Sequence, residues 1–396
     1  MRKGWQTKRL GEVCKVVNGG TPKTGVAAYW NGPHQWVTPA EMGKLSSPFI
    51  AKTKRSITAK GMQNSSAHLL PPLSVILSSR APIGYLVINT VPMATNQGCK
   101  GLVPPTTLDH KFLFYFLSSI VDLLNELGTG ATFKELSGGK LKTVLIPSPP
   151  LPEQKRIVGI LDEAFAGIAA AKATAEQNLQ NARALFESHL NAVFTQKGPG
   201  WVNTIIGEST RFIDYRGKTP KKTESGLRLI TAKNVKMGFL QNTPEEFVSP
   251  NSYADWMTRG IPQRGDVLFT TEAPLANVAQ LDTNEKVVFA QRIIIMQSDA
   301  SALDSTFLKY LLLSQPVQHR IHAKGTGATV KGIKASLLKK IGISFPKSLA
   351  QQEAVVAKLD ALSAETARLA ALYEGKVSAL EALKKSLLHQ AFAGEL

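Results

Sequence analysis

The sequence contains only two cysteines, Cys14 and Cys99, among its 396 residues. Two cysteines are too few for a disulfide framework or for a zinc site made of cysteines, and they indicate a reducing, cytoplasmic compartment. Because no run of about 18 apolar residues occurs, no membrane-spanning helix is predicted. The first residues are basic, but no apolar segment follows them, so a secretory signal is not expected.

Acidic residues are scarce relative to basic ones, with 29 Asp and Glu against 47 Lys and Arg and a net charge of +18. Residues 1–150 contain 17 basic and 6 acidic side chains, and residues 198–348 contain 20 and 12. Residues 151–197 are balanced at 5 and 5, and residues 349–396 contain 5 and 6. The excess therefore lies in two segments and predicts a polyanionic partner, with nucleic acid first and an anionic membrane surface second.

Sequence signatures of catalysis are also missing. There is no Walker A loop, and the nearest match to an adenine methyltransferase tetrapeptide, Ser148–Leu151, lacks the aromatic residue that stacks on a flipped base. Two Glu-Xaa-Lys triplets, at 153–155 and 374–376, fall in the helical segments. His319 and His322 have no carboxylate or cysteine cluster beside them. We therefore predict no metal site and no catalytic residues in this chain.

The chain is a tandem repeat with a period of about 198 residues. GTGAT occurs at 128–132 and at 325–329, and each copy is followed by one apolar residue and a lysine. The stretch LPEQKRIVGILD at 151–162 matches LAQQEAVVAKLD at 349–360. Together with the changes in composition, the repeat predicts four segments, two globular and two helical: 1–150, 151–197, 198–348 and 349–396.

Each helical segment has apolar residues at alternating steps of three and four, as in the seam of a coiled coil. The seam is predicted at Ile157, Leu161, Ile168, Leu185, Val355, Leu359, Leu362, Leu369, Leu380, Leu383 and Leu387. We expect the two helices to pair as an antiparallel coiled coil with pseudo-two-fold symmetry; alternatively, each helix packs only on its own domain. Apolar residues outside this seam, such as Phe186 and Phe392, suggest a surface on which another protein docks.

Each globular segment is predicted to be a mixed α+β unit. In the first, strands are expected at 73–79, 84–90 and 141–146, with a helix over 111–127. In the second, they are expected at 228–231, 266–271, 287–296 and 338–343, with a helix over 305–322.

Comparison of the two halves divides the candidate DNA-binding residues into two groups. Side chains shared by both halves cannot distinguish two DNA sequences, whereas side chains that differ can. The candidates for contact with the DNA backbone are Lys23, Arg80, Lys134, Lys218, Lys221, Lys222 and Lys331. The candidates for base reading are Tyr29, Trp30, Asn31, His34, Gln35, Gln241, Asn242, Asn251, Tyr253, Trp256 and Arg259. The GTGAT loops could present N–H groups to a phosphate, or they could simply connect a helix to a strand.

Two basic domains that are each followed by a long helix resemble the specificity subunit of type I restriction–modification systems. The resemblance is carried by LPPLSVILSSRAPIG at 70–84, by GTGAT with its lysine, and by LPEQKRIV at 151–158. It implies a non-catalytic protein with two target recognition domains, which bind a bipartite, asymmetric site in double-stranded DNA. It further implies that two modification (methyltransferase) subunits dock on the chain and that restriction subunits join the full complex. S-adenosylmethionine, Mg2+ and ATP would then be bound by those partners, and no cofactor by this chain.

Two other functions stay open at this point. One is a catalytic DNA methyltransferase or nuclease with atypical motifs. The other is a coiled-coil adaptor that binds DNA without sequence preference.

Overall fold

The computed structural model describes residues 5–130, 134–215, 220–327 and 329–396. The chain folds into two compact units, one formed by Met1–Ala175 with Gly375–Leu396 and the other by Glu176–Glu374. These units differ from the four segments expected from composition, because each unit includes parts of both long helices.

The first half of the chain has an α+β fold in which small sheets are covered by helices. Its strands are β1 (Gln6–Arg9), β2 (Lys15–Asn18), β3 (Trp30–Val37), β4 (Phe49–Ile50), β5 (Arg55–Ile57), β6 (Val75–Ser79), β7 (Ile83–Asn89), β8 (Met93–Thr95), β9 (Cys99–Val103) and β10 (Leu145–Ser148). Its helices are α1 (Leu10–Val13), α2 (Pro39–Met42), α3 (Ala59–Gln63), α4 (His110–Ser119), α5 (Val121–Leu127), α6 (Gly138–Thr143) and α7 (Leu151–Thr195). The strand orders are β2-β9-β6-β7-β4, β5-β3-β8 and β1-β10.

The second half repeats this fold. Its strands are β11 (Trp201–Ile205), β12 (Thr210–Asp214), β13 (Lys222–Thr223), β14 (Leu227–Ile230), β15 (Phe247–Val248), β16 (Val267–Thr270), β17 (Val278–Gln280), β18 (Val287–Phe289), β19 (Ile293–Ser298) and β20 (Gly342–Pro346). Its helices are α8 (Ile206–Ser209), α9 (Tyr253–Trp256), α10 (Ser305–Leu313), α11 (Gln315–Lys324), α12 (Ala335–Leu338) and α13 (Leu349–Ala393). The strand orders are β12-β19-β16-β17, β13-β15-β14-β18 and β11-β20.

Several predicted element boundaries were wrong. Residues 141–143 and 338 end short helices, and the strands β10 and β20 begin only at Leu145 and Gly342. The predicted strand over 287–296 is two strands, because Arg292 adopts a φ of 78° and turns the chain between β18 and β19. The helices expected at 111–127 and 305–322 are each two helices. In the second case Pro316, which cannot continue a helix, lies at the start of α11.

The two long helices pack against each other in antiparallel orientation. In the first unit, Lys172 Nζ lies 2.6 Å from Glu381 Oε1. In the second unit, Arg183 Nη2 lies 2.7 Å from Glu374 Oε1. Residue numbers rise along α7 while those of their partners fall along α13, so the helices run in opposite directions.

The buried stripe of these helices departs from the predicted seam in two places. Leu185 is 53% exposed and Leu383 is 46% exposed, whereas Ile157, Leu161 and Leu359 are fully buried. Leu185 lies outside the seam because the neighbouring Phe186 takes its place against the core of the second unit.

The apolar residues outside the predicted seam are mostly covered by the chain's own domains, so the expected docking surface is not formed by them. In the second unit, Phe186, Leu190 and Phe194 of α7 pack with the domain core. In the first unit, Leu388 and Phe392 of α13 do the same. The Phe392 ring meets the rings of Phe112 and Phe116 at centroid distances of 5.1 and 5.4 Å, and Phe165 meets Tyr115 at 5.4 Å. Leu372 is an exception, with 47% of its surface exposed.

A buried glutamine fixes the start of each long helix to its domain. Gln154 Oε1 accepts a hydrogen bond from the Asp109 amide at 2.8 Å, and Gln154 Nε2 donates to the carbonyls of Thr107 and Pro149 at 3.1 and 2.8 Å. Gln352 makes the same contacts in the second unit. Since Asp109 and Asp304 cap helices α4 and α10, each glutamine links a long helix to the helix beside it.

A tyrosine–aspartate contact about two turns further along each long helix reinforces this link. Tyr115 donates to Asp162 at 2.6 Å, and Tyr310 donates to Asp360 at 2.5 Å. Burial and the neighbouring carboxylate raise the pKa of both phenols, so both stay protonated donors.

Replacement of Gln154 by Ala should lower the free energy of unfolding by about 2–4 kcal/mol, because one amide and two carbonyls lose their partner in a buried place. Gln352→Ala should have a similar effect. The control is Lys155→Ala on the exposed face of the same turn, expected to change stability by no more than about 0.5 kcal/mol. Urea unfolding followed by circular dichroism measures these differences, and equal effects of Gln154→Ala and Lys155→Ala would contradict the assignment.

Candidate nucleic-acid interface

In the first domain, the sequence GGTPK at 19–23, which recurs as GKTPK at 217–221, packs against the neighbouring turn. The tract at 19–23 lies beside the turn that precedes β9, where the amide of Gly19 donates to the carbonyl of Cys99 at 3.1 Å. The Thr21 hydroxyl contacts the Gln97 side chain and accepts from Asn96 Nδ2 at 3.3 Å. Gln97 therefore stands next to the tract that carries Lys23.

The GTGAT loops form a small hairpin in each domain. The amide and carbonyl of Thr129 bond to those of Glu135, and Thr326 does the same with Gly332. Each hairpin is held on the end of a strand, by Leu136 N–H to Ser79 in the first domain and by Ile333 N–H to Thr271 in the second. The Thr129 and Thr326 amides are thus occupied by main-chain partners. Ala131, Thr132 and Ala328 of these loops lie outside the described residues.

An ion pair lies beside the hairpin in each domain, and the residue at the strand end contributes the positive charge in one domain and the negative charge in the other. The aligned stretches SSRAPIG at 78–84 and TTEAPLA at 270–276 place Arg80 where the other copy has Glu272. Arg80 lies 3.7 Å from Glu135, whereas Glu272 lies 2.8 Å from Arg292. In the first domain Lys100 also lies 3.9 Å from Glu135, and its side chain is only 8% exposed.

The residues predicted to contact the DNA backbone have different surroundings. Lys23, Lys134, Lys221 and Lys331 are exposed.

Two of the remaining candidates for contact with the DNA backbone already pair with a carboxylate, and the third is not described. Arg80 is half-buried and paired with Glu135, and Lys222 Nζ lies 2.8 Å from Glu246. Lys218 lies outside the described residues.

The base-reading candidates of the first domain are only partly accessible. Trp30 is 8% exposed, and its ring meets Trp36 edge-on at 5.1 Å, so the indole is part of the core. The Gln35 side-chain oxygen accepts from the Thr53 amide at 2.7 Å and lies 2.9 Å from the Thr53 hydroxyl oxygen. Asn31 is exposed, with a φ of 61°, and Tyr29 and His34 are half-buried.

In the second domain the aromatic base-reading candidates also pack against the protein's own core. Tyr253 and Trp256 pack against the core, and Trp256 Nε1 donates to the Phe289 carbonyl at 3.2 Å.

The polar candidates of the second domain differ in how much their side chains are already used. The Gln241 side chain donates to Thr243, and Arg259 donates to the carbonyl of Asp214. Asn242 and Asn251 are exposed.

Sequence reasoning missed one basic residue with unusual surroundings. Arg55, on β5, places its guanidinium carbon 3.7 Å from the centroid of the Trp30 ring. Its signal in the sequence is the basic run Lys52, Lys54 and Arg55, within a stretch from 13 to 108 that holds nine basic residues and one acidic one.

The titratable groups near these segments offer binding and not nucleophilic chemistry. Burial raises the pKa of Cys99 to about 12, although Lys100 and Arg80 oppose the shift, so the thiol stays protonated. Burial also raises the pKa of Cys14 to about 12. Over the ranges that the structure describes, no group of three or more His, Cys, Asp or Glu side chains could hold a metal ion. Within the same ranges, none of the helices combines the length and apolar character that a membrane span needs.

Comparisons with known proteins, by family model, by sequence and by structure, all find proteins of type I restriction–modification systems. The family model described as "Type I restriction modification DNA specificity domain" matches residues 2–180 and 232–374. The chain is 34% identical over 161 residues to the type I restriction enzyme MjaIX specificity subunit of Methanocaldococcus jannaschii. That alignment covers 40% of this chain and 37% of the relative, so the chain spans less than two fifths of the relative's length in this match.

Two solved structures share the fold over the whole chain. One, from a study of complex assembly and conformational transition of the type I R-M system, has a TM-score of 0.80 at 20% identity and covers 100% of this chain and 99% of its own. The other, the HsdS subunit from Thermoanaerobacter tengcongensis, has a TM-score of 0.61 at 19% identity and covers 100% and 98%.

The two hairpin carboxylates should differ in their importance for stability. Glu135→Gln leaves the buried Lys100 ammonium without its carboxylate and should cost about 1–3 kcal/mol. Glu272→Gln is the matched variant in the second domain, and it should cost less than about 1 kcal/mol because both members of its ion pair, Glu272 and Arg292, are about half exposed. Thermal or urea unfolding of both variants tests this difference, and a larger loss for Glu272→Gln would refute it.

Proposed function

Because the chain belongs to the family of type I restriction–modification DNA specificity subunits and recognises DNA sequence, we propose that it binds a bipartite, asymmetric site. Each globular domain reads one half of that site. The observation that carries this proposal is the repetition of one fold with different surface residues. The hairpin and strand framework recurs, whereas Asn31 and His34 in the first domain and Asn242 and Asn251 in the second do not. Different side chains on the same framework read different bases.

The electrostatics of the domains support binding to the DNA backbone. Exposed lysines at equivalent positions, Lys134 and Lys331, lie within the shared hairpins and provide the same positive charge in both domains. Phosphate contacts of this kind position a protein without specifying sequence, and each one makes binding weaker as salt rises.

Under this proposal, catalysis is carried out by the modification and restriction subunits. As a specificity subunit the chain is non-catalytic, and it docks two modification subunits, which carry the adenine methyltransferase activity. Restriction subunits join these in the complete complex. S-adenosylmethionine, Mg2+ and ATP are then bound by the partners, and this chain contributes DNA recognition and assembly.

The proposal is tested by mapping adenine methylation in a host that expresses the chain with its cognate modification subunit. We expect a split, asymmetric methylated motif. Exchange of residues 1–150 for the equivalent domain of another family member should change one half of the motif and leave the other half and its position unchanged, because the second domain is untouched.

Two controls separate the alternatives. Omission of this chain should abolish the motif; methylation that persists without it would contradict the proposal. The purified chain alone should transfer no labelled methyl group to DNA, and transfer by the chain alone would instead support a catalytic methyltransferase. Equal binding of the assembled complex to all duplexes would support a non-specific adaptor.

A further inference from the structure

The environment of Arg55 leads to a more specific assignment, which rests on the proposed function. We propose that Arg55 is a specificity-determining residue of the first domain and reads a guanine in its half-site. Its guanidinium carbon lies over an aromatic platform formed by Trp30 and Trp36, 3.7 Å from the Trp30 centroid and 5.3 Å from that of Trp36. Arg55 is itself exposed, so the N–H groups at its rim are accessible from solvent.

The platform beneath Arg55 is rigid. Trp30 and Trp36 are 8% and 1% exposed, and their rings are nearly perpendicular to each other. The Trp30 indole N–H donates to the carbonyl of Lys23 at 3.2 Å, and the Trp36 indole N–H donates to that of Gly20 at 2.9 Å. The platform is therefore tied to the shared tract that carries Lys23, a candidate for phosphate contact.

The backbone that presents Arg55 is fixed as well. The Thr53 hydroxyl donates to the Arg55 carbonyl at 2.6 Å, and Gln35 Oε1 accepts from the Thr53 amide at 2.7 Å. The amide of Lys54 donates to Glu41 Oε1 at 2.7 Å. Gln35, which the sequence suggested as a base reader, thus supports the turn that holds Arg55.

The charges around Arg55 leave its donors available. Glu41 is the one acidic residue between positions 13 and 108, and its carboxylate already accepts from the Lys54 amide. Within the described part of the chain, Arg55 forms no ion pair with a carboxylate. A guanidinium that has an aromatic partner but no anionic one is suited to a ligand that offers hydrogen-bond acceptors in the guanidinium plane.

Guanine is the base that offers two hydrogen-bond acceptors side by side in one plane. Its N7 and O6 atoms accept a bidentate pair of hydrogen bonds from arginine in the major groove, and no other base offers two such acceptors there. Lysine retains the charge but has neither the planar fork nor the stacking face. A role limited to phosphate contact would survive Arg55→Lys, whereas reading of guanine would not.

The test uses the chain assembled with its modification subunit, with adenine methylation of the host genome as the readout. Arg55→Lys and Arg55→Gln should each relax a single G·C position in one half of the motif, with discrimination falling on the order of ten- to hundredfold. The other half should stay unchanged. Lys52→Gln is the matched control, because Lys52 is exposed on the same turn and should lower methylation evenly at all sites without altering the motif.

The outcomes are distinct. A motif unchanged in both Arg55 variants, or an even loss of methylation at all sites, would overturn the assignment and leave Arg55 as a phosphate contact or a surface residue. Relaxation of positions in both halves would also overturn it. If the wild-type motif does not depend on this chain, the proposed function itself fails, independently of what the Arg55 variants do.

Binding of purified complexes gives a second measurement that does not depend on methylation. Two duplexes that differ only at the relaxed position are compared at two salt concentrations. Arg55→Lys should remove the preference between the duplexes and keep the salt dependence, whereas Lys52→Gln should keep the preference and reduce the salt slope by at most about one. A preference that is unchanged in Arg55→Lys would contradict guanine reading.

Discussion

Each core in this protein depends on a helix end that comes from the other half of the chain. In the first unit the core built by the first domain is completed by Leu388, Ala391 and Phe392 at the end of α13. In the second unit the equivalent positions are taken by Leu190 and Phe194 at the end of α7. Burial of each large apolar side chain contributes about 1.5–3 kcal/mol, so a half without its counterpart would leave a sizeable apolar face in water. Because of this constraint, each repeat needs the long helix of the other repeat to complete its core.

The same constraint explains why polar contacts, and not only apolar ones, attach the domains to the helices. An apolar interface tolerates small rotations of a domain against its helix. The three hydrogen bonds of Gln154 are directional, so they fix the orientation of α7 relative to the first domain. Gln352 repeats the arrangement although its neighbours Ala350 and Gln351 differ from Pro152 and Glu153. Under the proposed function, in which each domain reads one half of a site, each domain must be held in one orientation on its helix. The buried glutamines supply that orientation within each unit.

The sequence predicted the architecture because repeats, charge distribution and heptad spacing are properties of long segments. The α+β class, the tandem halves and the paired antiparallel helices all follow from such patterns. Individual roles were harder to predict, because they depend on which neighbour the fold brings close. Trp30 and Gln35 have the side chains of base readers, but one is buried under Arg55 and the other holds Thr53. The strand boundaries near Arg292 failed for a similar reason, since a single residue with positive φ separates two strands that read as one apolar run.

The exchanged ion pairs show how duplicated domains keep a structure while their surfaces diverge. Both domains place opposite charges near the strand end, but the residue at the strand end is basic in one and acidic in the other: Arg80 pairs with Glu135, and Glu272 pairs with Arg292. The position of the positive charge on the surface, however, differs between the two domains. Arg80 is anchored at the end of β6 and Arg292 in the turn before β19, so the positive group lies on a different element of the shared framework in each domain. A polyanion approaching the two hairpins therefore meets the cation at different positions, although the backbone contacts that hold the hairpins are the same.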